Sequence, residues 1–118
     1  MPNQLRWRYN PTNPVLLAVD SATVIEIGDL VYLDTDDAKP AASLSDGGTV
    51  ALNQEALHDG FAGVAMQASA SGETTPIRVA TSGVFEFDCA AATFEVGALI
   101  GAAENSDGDA LENQQVIA

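Results

Sequence analysis

The chain has 118 residues, which suits a single domain with one modest hydrophobic core. Seventeen acidic residues against four basic ones give a formal net charge of −13, and this charge argues against DNA, RNA or an anionic membrane as partner. One cysteine cannot form an intrachain disulfide, and no run of residues reaches the ~18 apolar residues of a membrane span.

The first segment, residues 1–14, predicts an extended N-terminal arm. It holds three prolines and three asparagines and little that could form a core. Proline blocks helix continuation and favours extended backbone before it. Trp7 and Tyr9 flank Arg8, and aromatic and arginine side chains are typical of interface hot spots. We therefore predict that the arm becomes ordered on a partner. Because it lacks the apolar core of a secretory signal, we expect synthesis in the cytoplasm.

The remainder, residues 15–118, predicts a single β-rich domain. Short apolar or alternating runs indicate strands. These runs lie at 15–19, 24–27, 30–33, 61–66, 94–102 and 114–118. The segment 53–59 favours one or two helical turns, with Gly60 as the stop, and residues 34–48 predict a polar loop.

Residues 72–88 read GETTPIRVATSGVFEFD and predict one tight β-hairpin. Apolar and polar residues alternate on both sides of Ser82-Gly83, which would form the turn. A chain of this size needs large apolar side chains in its core, so we expect the hairpin to supply some of them. The predicted core residues of the hairpin are Ile77, Val79, Val84, Phe85 and Phe87.

Two six-residue segments match in pattern: EIGDLV at 26–31 and EVGALI at 95–100. Each is followed by an acidic loop that contains glycine. A strand, a glycine turn and a second strand used twice would form two halves of a small barrel or sandwich. The first half continues to the predicted strand at 61–66, but the second half ends before an equivalent strand. We interpret the closing strand as missing or as supplied by a neighbouring subunit.

Candidates for catalysis are few. His58, the single histidine, stands beside Asp59, and no G-x-S-x-G motif marks a nucleophilic serine. We interpret His58 as a surface residue. Cys89 has no basic neighbour in sequence to lower the pKa of its thiol, and we interpret it as a small, partly buried apolar residue. We therefore expect no enzymatic activity and no cofactor.

Two acidic segments carry the oxygen ligands that calcium prefers: DTDD at 34–37 and NSDGD at 105–109. In neither does a glutamate close a twelve-residue loop, and helices do not flank them. Gly47-Gly48 also lacks the following lysine and helix of a phosphate-binding loop. We predict solvated acidic turns and no metal site, with weak calcium binding as the alternative.

Four segments of the chain resemble the head decoration, or capsid cement, proteins of tailed bacteriophages: 25–34, 60–66, 72–88 and 94–116. The resemblance implies an all-β fold, a small β-barrel or β-tulip with an extended N-terminal arm and at most one short helix. It further implies a homotrimer on the outer surface of the expanded head, where it clamps neighbouring major capsid proteins. Related chains often continue past the last predicted strand.

A decoration protein of this kind would be localised on the virion, with the acidic body facing outward and no nucleic-acid or membrane partner. Its arm would lie in grooves between capsid subunits and add strand-to-strand hydrogen bonds. The capsid-binding residues would be Leu5, Arg6, Trp7, Arg8, Tyr9 and Pro11.

Two alternatives remain open. A carbohydrate- or surface-binding β-module of a fibre or adhesin would carry exposed aromatic side chains on its body, and its acidic loops would be candidates for calcium. A small hydrolase would need an activated nucleophile, for which the sequence offers no motif.

Overall fold

The computed structural model describes residues 7–106 and 108–117, and within them the fold is mostly β. Leu5 and Arg6, two of the predicted binding residues, lie outside the described residues. The strands are β1 (Trp7–Tyr9), β2 (Val15–Leu17), β3 (Leu30–Asp34), β4 (Asp37–Pro40), β5 (Phe61–Ala65), β6 (Ile77–Ala80), β7 (Val84–Phe85), β8 (Gly101–Glu104) and β9 (Leu111–Ile117). The helices are α1 (Val50–Gly60) and a 3₁₀ helix at Ala41–Ser43. No helix of this part of the chain is long and apolar enough to cross a bilayer.

The central element is a five-stranded antiparallel sheet with the order β2-β6-β5-β3-β4. Successive side chains of a strand point to opposite faces, and here both faces are covered. In β3, Val31 enters one core while Leu30 and Tyr32 enter the other. The first core contains Val19, Ile25, Val31, Ala38, Ala65, Ile77 and Val79. The second contains Leu30, Tyr32, Ala41, Leu57, Val64, Ala102, Leu111 and Val116.

The second core is closed by α1 and by the separate β8-β9 sheet. The Thr49 hydroxyl accepts a hydrogen bond from the Leu52 N–H at 3.2 Å and caps the helix. This cap starts α1 at Val50, three residues before the predicted segment 53–59. The Gln54 amide donates to the Ala102 carbonyl at 3.0 Å and ties α1 to β8.

The prediction of one tight hairpin at residues 72–88 is wrong. β6 pairs with β2 and β5 of the central sheet, whereas β7 pairs with β1 in a separate two-stranded sheet. Between them, the N–H groups of Thr81 and Ser82 donate to the Thr12 carbonyl at 2.8 and 3.2 Å. The N-terminal segment therefore pairs where the second hairpin strand was expected. Gly83, with φ of 125°, redirects the chain from one sheet to the other.

The five residues predicted for the core of that hairpin consequently have different environments. Ile77 and Val79, on β6, are buried in the first core. Val84, Phe85 and Phe87 are only half-buried, because β7 lies outside the central sheet. Phe85 and Phe87 pack against the second core with their ring centroids 6.5 Å apart.

Three further boundaries differ from the predicted elements. Residues 24–27 form no strand and make one isolated bridge, between Ile25 and Ser69. The predicted loop at 34–48 contains β4 and the 3₁₀ helix, because Lys39 and its neighbours pair back onto β3. The predicted strand at 94–102 begins only at Gly101, since residues 94–100 have no partner strand.

The repeated sequence pattern corresponds to a repeated turn. The Asp29 N–H donates to the Glu26 carbonyl at 3.2 Å, and the Ala98 N–H donates to the Glu95 carbonyl at 3.0 Å. The glycine inside each turn has positive φ, 96° at Gly28 and 87° at Gly97. The similarity thus extends to local conformation, although β3 begins directly after its turn and β8 begins later.

Candidate binding surface

The described part of the N-terminal arm lies on the body of its own chain. Trp7 pairs with Phe85 and Tyr9 with Val84, in the β1-β7 ribbon. The side chains of Trp7 and Tyr9 nevertheless remain 47% and 61% exposed. The Trp7 indole Nε1 donates to the Asn10 carbonyl at 2.8 Å and folds the end of the ribbon back. The ribbon therefore presents two aromatic side chains to solvent from a fixed backbone.

The other predicted arm residues in the described chain also contact the body. The Arg8 guanidinium forms an ion pair with the Glu86 carboxylate at 2.8 Å, with both side chains about half exposed. The Pro11 carbonyl accepts a hydrogen bond from the Ser82 hydroxyl at 2.9 Å. An ion pair this exposed stabilises a fold by only about 0.2–1 kcal/mol. Arg8 is thus available to exchange its partner at little energetic cost.

Beside the ribbon lies an apolar groove of about 370 Å³. One wall is formed by Gln54, His58 and Phe61, which share a side of α1 and its exit. The opposite wall is formed by residues 80–83 with Phe85 and Phe87. Among the described residues, no Asp, Glu, Lys or Arg lines the groove, although the chain carries a net charge of −13.

Residues 94–100 form an exposed apolar loop at one end of the groove. Val96 is fully exposed, Leu99 is 92% exposed and Ile100, which also lines the groove, is 53% exposed. The loop contains the turn at Gly97, which is closed by the hydrogen bond from the Ala98 N–H to the Glu95 carbonyl. Sequence reasoning assigned these residues to a strand. The match to 26–31, by contrast, indicated a glycine turn, and the structure has a turn there.

The ribbon, groove and loop are continuous. A Cβ atom on Gly83 would lie 3.2 Å from the Phe85 ring and 3.5 Å from the Trp7 ring, so Trp7 stands at the rim of the groove. Ile100 joins the groove to the loop at its other end. We call this surface, made of β1, the groove and residues 94–100, the apolar face.

Residues with potential for chemistry are dispersed. His58 is exposed and lies 3.6 Å from the Asp59 carboxylate. Cys89 is exposed, so its prediction as a partly buried residue is wrong: the segment after β7 leaves the core. Within the described residues, no three His, Cys, Asp or Glu side chains are arranged to hold a metal ion. Asp107, in the second acidic segment, lies outside the described residues.

Among the described residues, Asp29 is the one carboxylate that is buried, and its contacts are structural. Burial raises the pKa of its carboxyl above the ordinary value. The Gln114 amide donates to Oδ1 at 2.8 Å, and the Glu26 N–H donates to Oδ2 at 3.0 Å. These bonds join the first repeated turn to β9, so the side chain fastens two elements together.

Comparison with protein-family models, with curated proteins and with solved structures finds no match to this chain.

Proposed function

We propose that this chain is a decoration protein that binds the outer surface of an expanded bacteriophage head as a homotrimer and stabilises contacts between major capsid proteins. The apolar face is the observation that carries the proposal. Large exposed apolar surfaces of this kind mark sites of protein association. The resemblance of segments 25–34, 60–66, 72–88 and 94–116 to capsid cement proteins supplies the class of partner.

The arm supports attachment by strand addition. Among the described strands, β1 pairs with β7 alone, so its other edge can pair with a strand of the major capsid protein. Trp7 and Tyr9 would then enter gaps between capsid subunits, and Arg8 would exchange Glu86 for a capsid carboxylate. The acidic body would face outward, since its charge is repelled by packaged DNA.

We further propose that the central sheet is a small barrel of the β-tulip kind. The support is a single contact between its two edge regions. The Ala38 N–H donates to the Ala18 carbonyl at 2.8 Å, which brings the residue after β2 against β4. The first core would be the barrel interior.

Binding to expanded heads that lack their own decoration protein, prepared from the phage that encodes this chain, tests the proposal. Because residues 7–13 pair with the body, deleting the arm would uncover β7; substitution is the cleaner change. Trp7→Ser with Tyr9→Ser removes the exposed rings but keeps the backbone pairing. Loss of two interface hot spots should raise the dissociation constant by about 100-fold in co-sedimentation.

The matched control replaces Leu16 and Val24 by Ser, since both are more than half exposed and neither lines the groove. This control should bind like the parent chain. Full occupancy by the Trp7/Tyr9 variant would refute the role of the arm. Absence of binding by the parent chain would refute the proposed function.

A further inference from the structure

The exposed loop and the groove adjoin at Ile100 and have matching chemistry but opposite shapes, since the loop projects and the groove is concave. The loop projects large apolar side chains, with Glu95 as its one charged residue. The groove is open and apolar, and among the described residues no Asp, Glu, Lys or Arg side chain lines it and no segment fills it. Exposed apolar patches that are framed by polar surface mark association sites.

The charge of the chain restricts what can fill the groove. Two copies, each at −13, repel one another wherever their carboxylates meet. Association is least opposed through surfaces that lack carboxylates, and the groove and the 96–100 side of the loop are such surfaces among the described residues. A basic partner would find no carboxylate in the groove with which to pair. The occupant that fits is therefore an uncharged apolar segment on a compact turn, and the chain itself displays one.

We infer that the loop 94–100 of one copy inserts Leu99 and Val96 into the groove of a second copy. The insertion places Leu99 against Phe61 on one wall and Phe85 on the other. Because the loop and the groove are different parts of the apolar face, the contact can repeat head-to-tail, and a head-to-tail contact closes into a ring when its rotation returns to the first copy. It provides the subunit contact of the proposed homotrimer, but it concerns the isolated chain and does not depend on a capsid.

Self-association of the full chain in solution tests the inference. Sedimentation equilibrium over the micromolar range should show an oligomer for the parent chain. Leu99→Asp removes the apolar knob, and Phe61→Ser opens one wall of the groove; each should raise the dissociation constant about 30-fold or more. Leu52→Asp is the matched control, because Leu52 is 52% exposed and does not line the groove. This control should associate like the parent chain.

Mixing the two variants separates this contact from any other. The Leu99→Asp chain keeps an intact groove, and the Phe61→Ser chain keeps an intact loop, so an equimolar mixture should form a heterodimer although each variant alone is monomeric. Circular dichroism of each variant establishes that the fold is retained.

A parent chain that stays monomeric at every concentration, an oligomer that survives Leu99→Asp, or a mixture without heterodimers would overturn the inference. These outcomes are independent of capsid binding. A monomeric chain that still decorates heads refutes the loop contact alone, and an oligomer that fails to bind heads refutes the proposed function alone.

Discussion

Gly63 decides how closely two central strands approach. A Cβ atom at this position would lie 1.8 Å from the Ala80 carbonyl oxygen of β6, and φ is 155°. Gly63→Ala therefore forces β5 and β6 apart, and we expect the free energy of unfolding in urea to fall by about 3 kcal/mol. The control is Gly72→Ala: Gly72 also has positive φ, 93°, but open space around it. It should cost about 1 kcal/mol. Equal losses at both positions would contradict the steric explanation.

Asp29 gives the stability of the fold a defined pH dependence. Burial is the main cause that raises the pKa of its carboxyl above the reference value of 3.8, against the opposing effects of the Gln114 and Glu26 hydrogen bonds. Below pH 3.8 the carboxyl is protonated in both the folded and the unfolded chain. As pH rises, the unfolded chain loses this proton first, and above the folded-state pKa the fold must hold a buried charge. The contribution of Asp29 to the free energy of unfolding therefore decreases as pH rises from the unfolded-state pKa to the folded-state pKa.

Urea unfolding of the parent chain and Asp29→Asn from below pH 3.8 to neutral pH measures this contribution. The asparagine keeps the size of the side chain and one acceptor but never ionises. We expect the stability of the parent chain relative to the variant to fall as pH rises. A difference that is constant with pH, or one that increases, would show that the buried carboxyl does not titrate as described.

At the residue scale, sequence and structure agree where a local rule decides the outcome. The alternation around Val79 and Ile77 identified buried positions, because a two-residue period fixes the face of a strand. The two glycines of the repeated pattern also indicated turns, since positive φ favours glycine. The burial of Asp29 could not be predicted from the sequence. It depends on Gln114, which is distant in sequence and carries no local signal.

At the scale of elements, the error in the predicted hairpin shows what a local pattern leaves undetermined. Residues 77–80 and 84–85 are both strands, but a strand pattern does not specify its partner. Residues 11–13 compete for the turn region, because their backbone carbonyls accept hydrogen bonds from the N–H groups and the hydroxyls of Thr81 and Ser82. The described part of the arm thus joins the body as an element of the fold, and three of the candidate binding residues, Trp7, Arg8 and Tyr9, stand on a paired strand.

The loop 94–100 was misassigned for a related reason. Its alternating apolar residues fit a strand, yet they lack any partner strand and stay exposed. A sequence pattern identifies apolar residues but not the element against which they pack. The groove was equally inaccessible to sequence reasoning, because its walls come from α1, from residues 80–83 and from the segment at 85–87.

At the scale of the whole molecule, acidic side chains are segregated from the groove. The chain carries seventeen acidic residues, and none of those that the structure describes lines the groove. A high net charge favours solubility, and an uncharged groove is the place where that charge opposes association least. Composition alone argued against nucleic acid as a partner. The separation of acidic residues from the groove could be seen only in the three-dimensional arrangement of the elements.

An electron cryomicroscopy reconstruction of expanded, undecorated heads after incubation with the chain tests the proposed function most directly. We predict added density for three copies at the three-fold and quasi-three-fold positions of the outer surface, with the β1-β7 ribbon against the major capsid protein. Heads that show no added density at saturating protein, or density confined to their inner surface, would contradict the proposal.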